Sequence, residues 1–324
     1  MINIEHLVKY YGKVKAVDDI SFTIEKGEIV GFLGPNGAGK STAMNILCGY
    51  LSSTSGKAEI NGIDILGDPI AAKKQIGFLP EIPPLYGEMT VDEYLSFIYD
   101  LKGTTLKKKE HLDEICAVTS IESVRRRLIR NLSKGYKQRV GIAQALIGDP
   151  PVLVFDEPTV GLDPKQIVEV RNLIKSLGGR HTVILSTHIL SEVQAVCGRI
   201  IIINKGKIVA NEMAEEISRA VTNNSRLTVK ICGPENRVQT ALENLNGVQR
   251  VECTGAKDSD ALTYIVESGP GIDLRKPLFN AMAQEHFPII GMEAQGLDLE
   301  DVFISAVSEE DEQKKTKRKK GKGR

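Results

Sequence analysis

The chain has 324 residues, a length that suggests about two domains, each able to bury a sizeable core. Apolar residues make up 41% and charged residues 26%, and 42 basic side chains balance 42 acidic ones, so net charge gives no reason to expect a nucleic-acid surface. The five cysteines stand far apart with no Cys-x-x-Cys pair, which argues against a zinc site or a disulfide scaffold and fits a reducing compartment. No stretch approaches eighteen consecutive apolar residues, and the first residues lack a basic start followed by an apolar run. The expectation is therefore a chain with neither a membrane span nor a secretion signal, for which any membrane role requires a separate partner.

In chain order, Ile20 to Ile24 alternates with period two and Glu28 to Leu33 reads as a buried strand. The run Gly34-Pro35-Asn36-Gly37-Ala38-Gly39-Lys40-Ser41-Thr42 follows at once and fills the pattern G-x-x-x-x-G-K-[ST], with helical spacing after it at Met44, Leu47 and Cys48. Such a loop is a phosphate cradle. Its glycines turn backbone N–H groups inward around a polyphosphate, Lys40 reaches the β and γ phosphates, and the Ser41 hydroxyl suits Mg²⁺ where the helix begins. A nucleoside triphosphate is the expected ligand.

From Thr90 to about Leu146 the pattern is mostly helical and strongly charged, and the runs Lys107 to Lys109 and Arg125 to Arg127 read as solvated helix faces. Ser133 has the character of an N-cap for a helix continuing to Ala145. Strand character returns at Val152 to Phe155, Thr182 to Leu185 and Ile200 to Ile203, with helices expected over Pro164 to Leu177 and Leu190 to Cys197. Strands alternating with helices of that length imply an α/β fold with a parallel sheet.

A connecting helix is expected near Met213 to Ala220, and after about residue 222 the pattern restarts. Alternation at Leu227, Val229 and Ile231 precedes helical spacing from Val238 to Leu245. Strand-like Val248 to Cys253 and Leu262 to Val266 follow, then a helix near Pro277, a strand at Ile289 and Ile290, and a last helix at Leu299, Val302, Phe303 and Ala306. The order βαββαβ resembles a ferredoxin-like module. The stretch 308–324, four acids and then eight basic residues from Glu309 onward, reads as a disordered tail whose charge gives solubility or a weak attraction to an anionic membrane surface.

The apolar strand Val152 to Phe155 leads into Asp156-Glu157, two carboxylates at the end of a buried strand. The first suits a water-mediated Mg²⁺ contact. The second suits the water that attacks a γ phosphate, because a neighbouring carboxylate is the simplest general base for that step. Together they imply hydrolysis and not binding alone.

With Leu132-Ser133-Lys134-Gly135-Tyr136-Lys137-Gln138, Gly161-Leu162-Asp163 and Leu185-Ser186-Thr187-His188, the set resembles the ATP-binding subunit of the ABC transporter superfamily over about residues 1–220. The resemblance implies a P-loop cassette with antiparallel β and helical subdomains, the latter about 90–146, and an accessory α+β domain over 222–307. It assigns Gly37, Gly39, Lys40, Ser41 and Thr42 to Walker A, Asp156 and Glu157 to Walker B and the catalytic carboxylate, and His188 to a switch near the γ phosphate. Tyr11 matches the aromatic that stacks on adenine. Ser133 and Gly135 act on ATP held by a second subunit in a head-to-tail homodimer or pseudo-homodimer, with Asp163 linking the two sites.

Two departures from the family pattern stand out. After Ile76 to Pro80 comes Glu81 where the family usually has glutamine, which would place another negative charge near Mg²⁺; Lys134 and Tyr136 replace the usual glycine and glutamine of the signature. Glu81, the run Leu299-Glu300-Asp301-Val302-Phe303 and the added domain look most similar to bacterial export-type subunits of the drug, polysaccharide or gliding-related group. The expected protein is a cytoplasmic ATPase, held peripherally on the inner face of the membrane by a separate permease chain. The rivals are a soluble ABC mechano-ATPase on ribosomes or DNA, and a regulatory ATP-binding protein whose C-terminal module senses a small ligand. One P-loop with no long heptad run after it speaks against the first rival.

Overall fold

The computed structural model describes residues 1–217, 226–258, 260–269 and 272–295, and the chain divides into two compact units, Met1–Ala214 and Glu215–Arg324. The first unit holds two sheets. In one, β1 (Ile2–Tyr11) pairs antiparallel with β2 (Val14–Ile24) and with β4 (Ser55–Ile60), and β5 (Ile63–Asp64) closes the edge. Sequence periodicity reaches only Ile20 to Ile24 of this hairpin. His6 and Asp19 have positive φ and the register shifts near them, so bulges break the alternation along both strands.

The second sheet has six strands in the order β10-β9-β3-β8-β7-β6: β3 (Ile29–Leu33), β6 (Ile76–Leu79), β7 (Val152–Asp156), β8 (Thr182–Thr187) and β9 (Arg199–Asn204) are parallel, and β10 (Lys207–Met213) is an antiparallel edge. Strands β7 and β8 are buried at every position, which explains their near-continuous apolar composition. Helices α1 (Lys40–Leu47), α2 (Pro69–Lys74), α6 (Pro164–Leu177) and α7 (Leu190–Val196) connect these strands, and α3 (Val91–Lys102), α4 (Lys108–Val118) and α5 (Lys134–Leu146) form the charged helical segment. Each fully buried Ile, Val or Leu of the sheet contributes about 1.5–3 kcal/mol of apolar burial.

The register fixes the function-bearing edge. Leu33 lies beside Thr187, Asp156 beside Ser186 and Leu79 beside Phe155, so four neighbouring strands end level with one another. The segments leaving them are the P-loop, Glu157, His188 and Glu81. A crevice at the carboxyl ends of parallel strands is where α/β folds hold ligands.

In the second unit β11 (Arg226–Cys232), α8 (Glu235–Glu243), β12 (Val248–Asp258), β13 (Ala261–Ser268), α9 (Arg275–Gln284) and β14 (Ile289–Gln295) form an antiparallel sheet in the order β12-β13-β11-β14. This is the ferredoxin-like order. Leu227, Val229, Ile231, Tyr264 and Val266 on the sheet bury against Val238, Leu242, Leu278 and Met282 of the helices. Of the expected connecting helix near 213–220, residues 214–217 are helical and the remainder lies outside the described residues. The expected last helix at Leu299 to Ala306 and the charged tail also lie outside them.

Candidate active site

A cavity of about 320 Å³ opens at that edge, lined among others by Asn36, Gly37, Gly39, Lys40, Ser41, Thr42, Glu81, Glu157 and His188. The glycines of the loop are conformational necessities at two positions. Gly39 has φ 107°, and a Cβ there would stand 2.4 Å from the carbonyl oxygen of Ala16; a Cβ on Gly34 would stand 2.4 Å from that of Ile203. Backbone carbonyls cannot yield that space. Gly34 and Ala38 shape the loop from beneath: Ala38 is buried, its N–H donates to Pro35 and its carbonyl accepts from Gly206.

Lys40 opens α1 and is 5% exposed. Its Nζ donates to the carbonyls of Gly34 at 2.7 Å and Pro35 at 3.2 Å, and it lies 3.6 Å from Oε1 of Glu157. An ammonium held at the start of a helix makes a positive locus for an anion.

Glu157 follows the last residue of β7 and has φ 49°, a conformation that costs a side-chain-bearing residue roughly 1–2 kcal/mol. Its N–H donates to Ser186, which fixes this turn to β8, and the buried carboxylate aims back into the cavity. Both of its oxygens stand 3.0 Å from Nδ1 of His188, the residue after β8. Lysine, carboxylate and imidazole thus meet from three separate elements. Strain at such a point accompanies function.

Asp156 is buried, accepts a hydrogen bond from the Ser186 hydroxyl and does not line the cavity, whereas Ser41 and Glu81 do. These two supply the hard oxygen donors that a divalent cation takes. Among the described residues no three His, Cys, Asp or Glu side chains converge as an all-protein metal site. The donor set fits a cation shared with phosphate oxygens, the usual way Mg²⁺ is held.

The other sequence candidates lie apart from these walls. Tyr11 is 47% exposed at the tip of the β1–β2 hairpin, with Lys9 Nζ 5.5 Å from its ring centre. Ser133 is the exposed N-cap of α5, accepting from the Tyr136 N–H, and Gly135 is buried in the first turn. Asp163 is the exposed N-cap of α6, accepting from Gln166 at 2.9 Å. A Cβ on Gly135 would stand 2.6 Å from the Gln166 side chain and one on Gly161 2.0 Å from Lys134 Nζ, so the signature turn and the loop before α6 interlock. Ala16 and Val160 also line the cavity and escaped the sequence reading, because small and apolar residues carry no motif signal.

A parallel sheet with a P-loop, a strand-end carboxylate and a facing histidine defines a P-loop nucleotide triphosphatase. A family model described as ABC transporter matches residues 17–160. Over 309 residues the chain is 32% identical to the uncharacterised ABC transporter ATP-binding protein YxlF of Bacillus subtilis, covering 95% of this chain and 99% of that one. Over 210 residues it is 38% identical to the bacitracin transport ATP-binding protein BcrA of Bacillus licheniformis, covering 64% and 68%. It superposes on the dimeric post-hydrolysis structure of the ATP-binding cassette MJ0796 bound to ADP and Pi with a TM-score of 0.60 and 26% identity, covering 66% of this chain and 99% of that one. The chain belongs to the ABC transporter ATP-binding proteins. It is the ATP-binding and ATP-hydrolysing subunit of a membrane transporter, and no helix among the described residues is long and apolar enough to cross a membrane.

Proposed function

We propose that the subunit powers an exporter through ATP-driven head-to-tail closure of two copies, with the cavity as one half of each composite site. The meeting of Lys40, Glu157 and His188 beneath the P-loop is the observation that carries this reading. Loop amides and Lys40 bind the β and γ phosphates, Asn36 and Thr42 border them, and the exposed Tyr11 offers a ring on which adenine stacks. Glu157 orients the attacking water and takes its proton, while His188 holds the Glu157 carboxylate and reads the γ phosphate. Ser41 and Glu81, with Asp156 through water, would hold Mg²⁺, which would neutralise charge on the phosphates.

Ser133 and Gly135 present the N-terminus of α5 to ATP on the second subunit, and Asp163 joins the two sites. The exposed positions of Ser133 and Asp163 support this, since groups that act on another chain must stand at a surface. Transport by the BcrA relative, Glu81 and the added α+β domain support export. The permease is a separate chain, and the subunit sits on the cytoplasmic face through it. The test is Glu157→Gln, which preserves shape and removes the base. ATP binding within about threefold of wild type and a fall in hydrolysis of at least a hundredfold are expected; near-normal turnover would remove Glu157 from its role.

A further inference from the structure

Behind the cavity lies a buried carboxylate that the reaction does not use directly. Glu192 of α7 is 2% exposed. It accepts hydrogen bonds from the Thr159 hydroxyl at 2.8 and 2.7 Å and from the Thr187 hydroxyl at 2.9 Å, and Arg171 of α6 stands 3.5 Å away. Thr159 lies two residues past Glu157, on the loop that runs to Asp163. Thr187 immediately precedes His188, and its own hydroxyl accepts the N–H of Ile189. One side chain therefore holds the turn that aims His188 and the loop that leads to the subunit surface.

A carboxylate is a costly choice at such a depth. Burial of a charge is unfavourable unless every lone pair is used, and an apolar residue of similar volume commonly stabilises as well or better. Hydrogen bonds to a carboxylate acceptor are short and strong, so what Glu192 supplies over a leucine is a fixed geometry between the two segments whose hydroxyls it gathers.

We propose that Glu192 is a positioning residue that couples the His188 turn to the Thr159–Asp163 loop, so that movement of one is transmitted to the other. The inference rests on the assignment of His188 to the γ-phosphate side of the site. It makes Glu192 act on turnover and on subunit closure, and leaves the phosphate cradle of β3 and α1 alone.

The experiment compares ATP hydrolysis and ATP-induced dimerisation of the full chain with Glu192→Ala, Glu192→Gln, His188→Ala and the Glu192→Ala/His188→Ala pair. Glu192→Ala is expected to lower kcat at least tenfold with KM for ATP within twofold. Glu192→Gln, which keeps one acceptor oxygen, is expected to recover most of it. The pair is expected to be no slower than His188→Ala alone, because the two act through one step. Thr159→Val and Thr187→Val each remove one hydroxyl without opening a cavity, and a severalfold loss of kcat at unchanged KM is expected, so the test survives poor folding of the alanine variant. A rise in KM without loss of kcat, or multiplication of the two losses in the pair, overturns the coupling. If His188→Ala is fully active, the His188 assignment falls and the coupling with it; if His188→Ala is slow while Glu192→Ala and both valine variants match wild type, only the coupling falls.

Discussion

At the scale of single residues the site depends on conformations that few side chains accept. Gly39→Ala would drive a methyl to 2.4 Å from the Ala16 carbonyl at φ 107°, and the loop must open to relieve it. A loss of ATP affinity of at least tenfold is expected by isothermal calorimetry, with destabilisation of about 2 kcal/mol or more in denaturant titration; retained affinity would show that the loop carries no such constraint. Glu81 is the residue at which charge departs from family habit. If it shares a cation with Ser41, Glu81→Gln weakens Mg²⁺ dependence of hydrolysis modestly and leaves most ATP affinity, because Ser41 and the phosphates remain. Unchanged Mg²⁺ titration, basal turnover and permease-stimulated turnover in reconstituted membranes, in both Glu81→Gln and Glu81→Ala, would remove it from the site. Lys40, Glu157, His188 and the loop glycines Gly37 and Gly39, which line the cavity, were legible in the sequence because each stands in a motif. Glu192 was not, because a single glutamate in a helical stretch looks like a solvated face until the fold brings Thr159 and Thr187 to it.

At the scale of elements, α5 presents Ser133 at one end and is tied down at the other. Lys102, the last residue of α3, donates to the carbonyls of Gln144, Ala145 and Ile147 at 3.4, 3.3 and 2.7 Å, at the C-terminal end of the helix. Burial pushes its ammonium down to about 8 from 10.5. A group whose folded-state pKa lies below its unfolded value holds fewer protons when folded between those two values. Its contribution to stability therefore rises with pH from about 8 towards 10.5, and is flat below 8 where both states are protonated. Lys102→Ala is expected to flatten the alkaline rise, because the group that titrates between about 8 and 10.5 is gone; the same alkaline slope in thermal melts of the variant would contradict the burial of this ammonium. Helix α6 has the expected bounds, Pro164–Leu177, and the fold starts it with the Asp163 cap and Pro164 in the first turn. The full extent of β1 and β2 was hidden because bulges at His6 and Asp19 interrupt the alternation on which strand reading depends.

At the scale of the whole molecule, strand order is the part that no local pattern encodes. Glu157 and His188 come together because β7 and β8 are neighbours, and both meet Lys40 because β8 also pairs with β3, which is more than 140 residues earlier in the chain. Motif spacing implied that meeting only through resemblance to a family. In the closed dimer proposed above, each ATP lies between Lys40 and Glu157 of one copy and Ser133 of the other. Light scattering on Glu157→Gln with saturating ATP tests it most directly. A particle of twice the 35.4 kDa chain mass that reverts on nucleotide removal is expected, and Glu157→Gln/Ser133→Ala is expected to bind ATP equally well yet remain a single chain. Dimers that form equally with and without Ser133, or a single chain at every ATP concentration, would rule out this shared site.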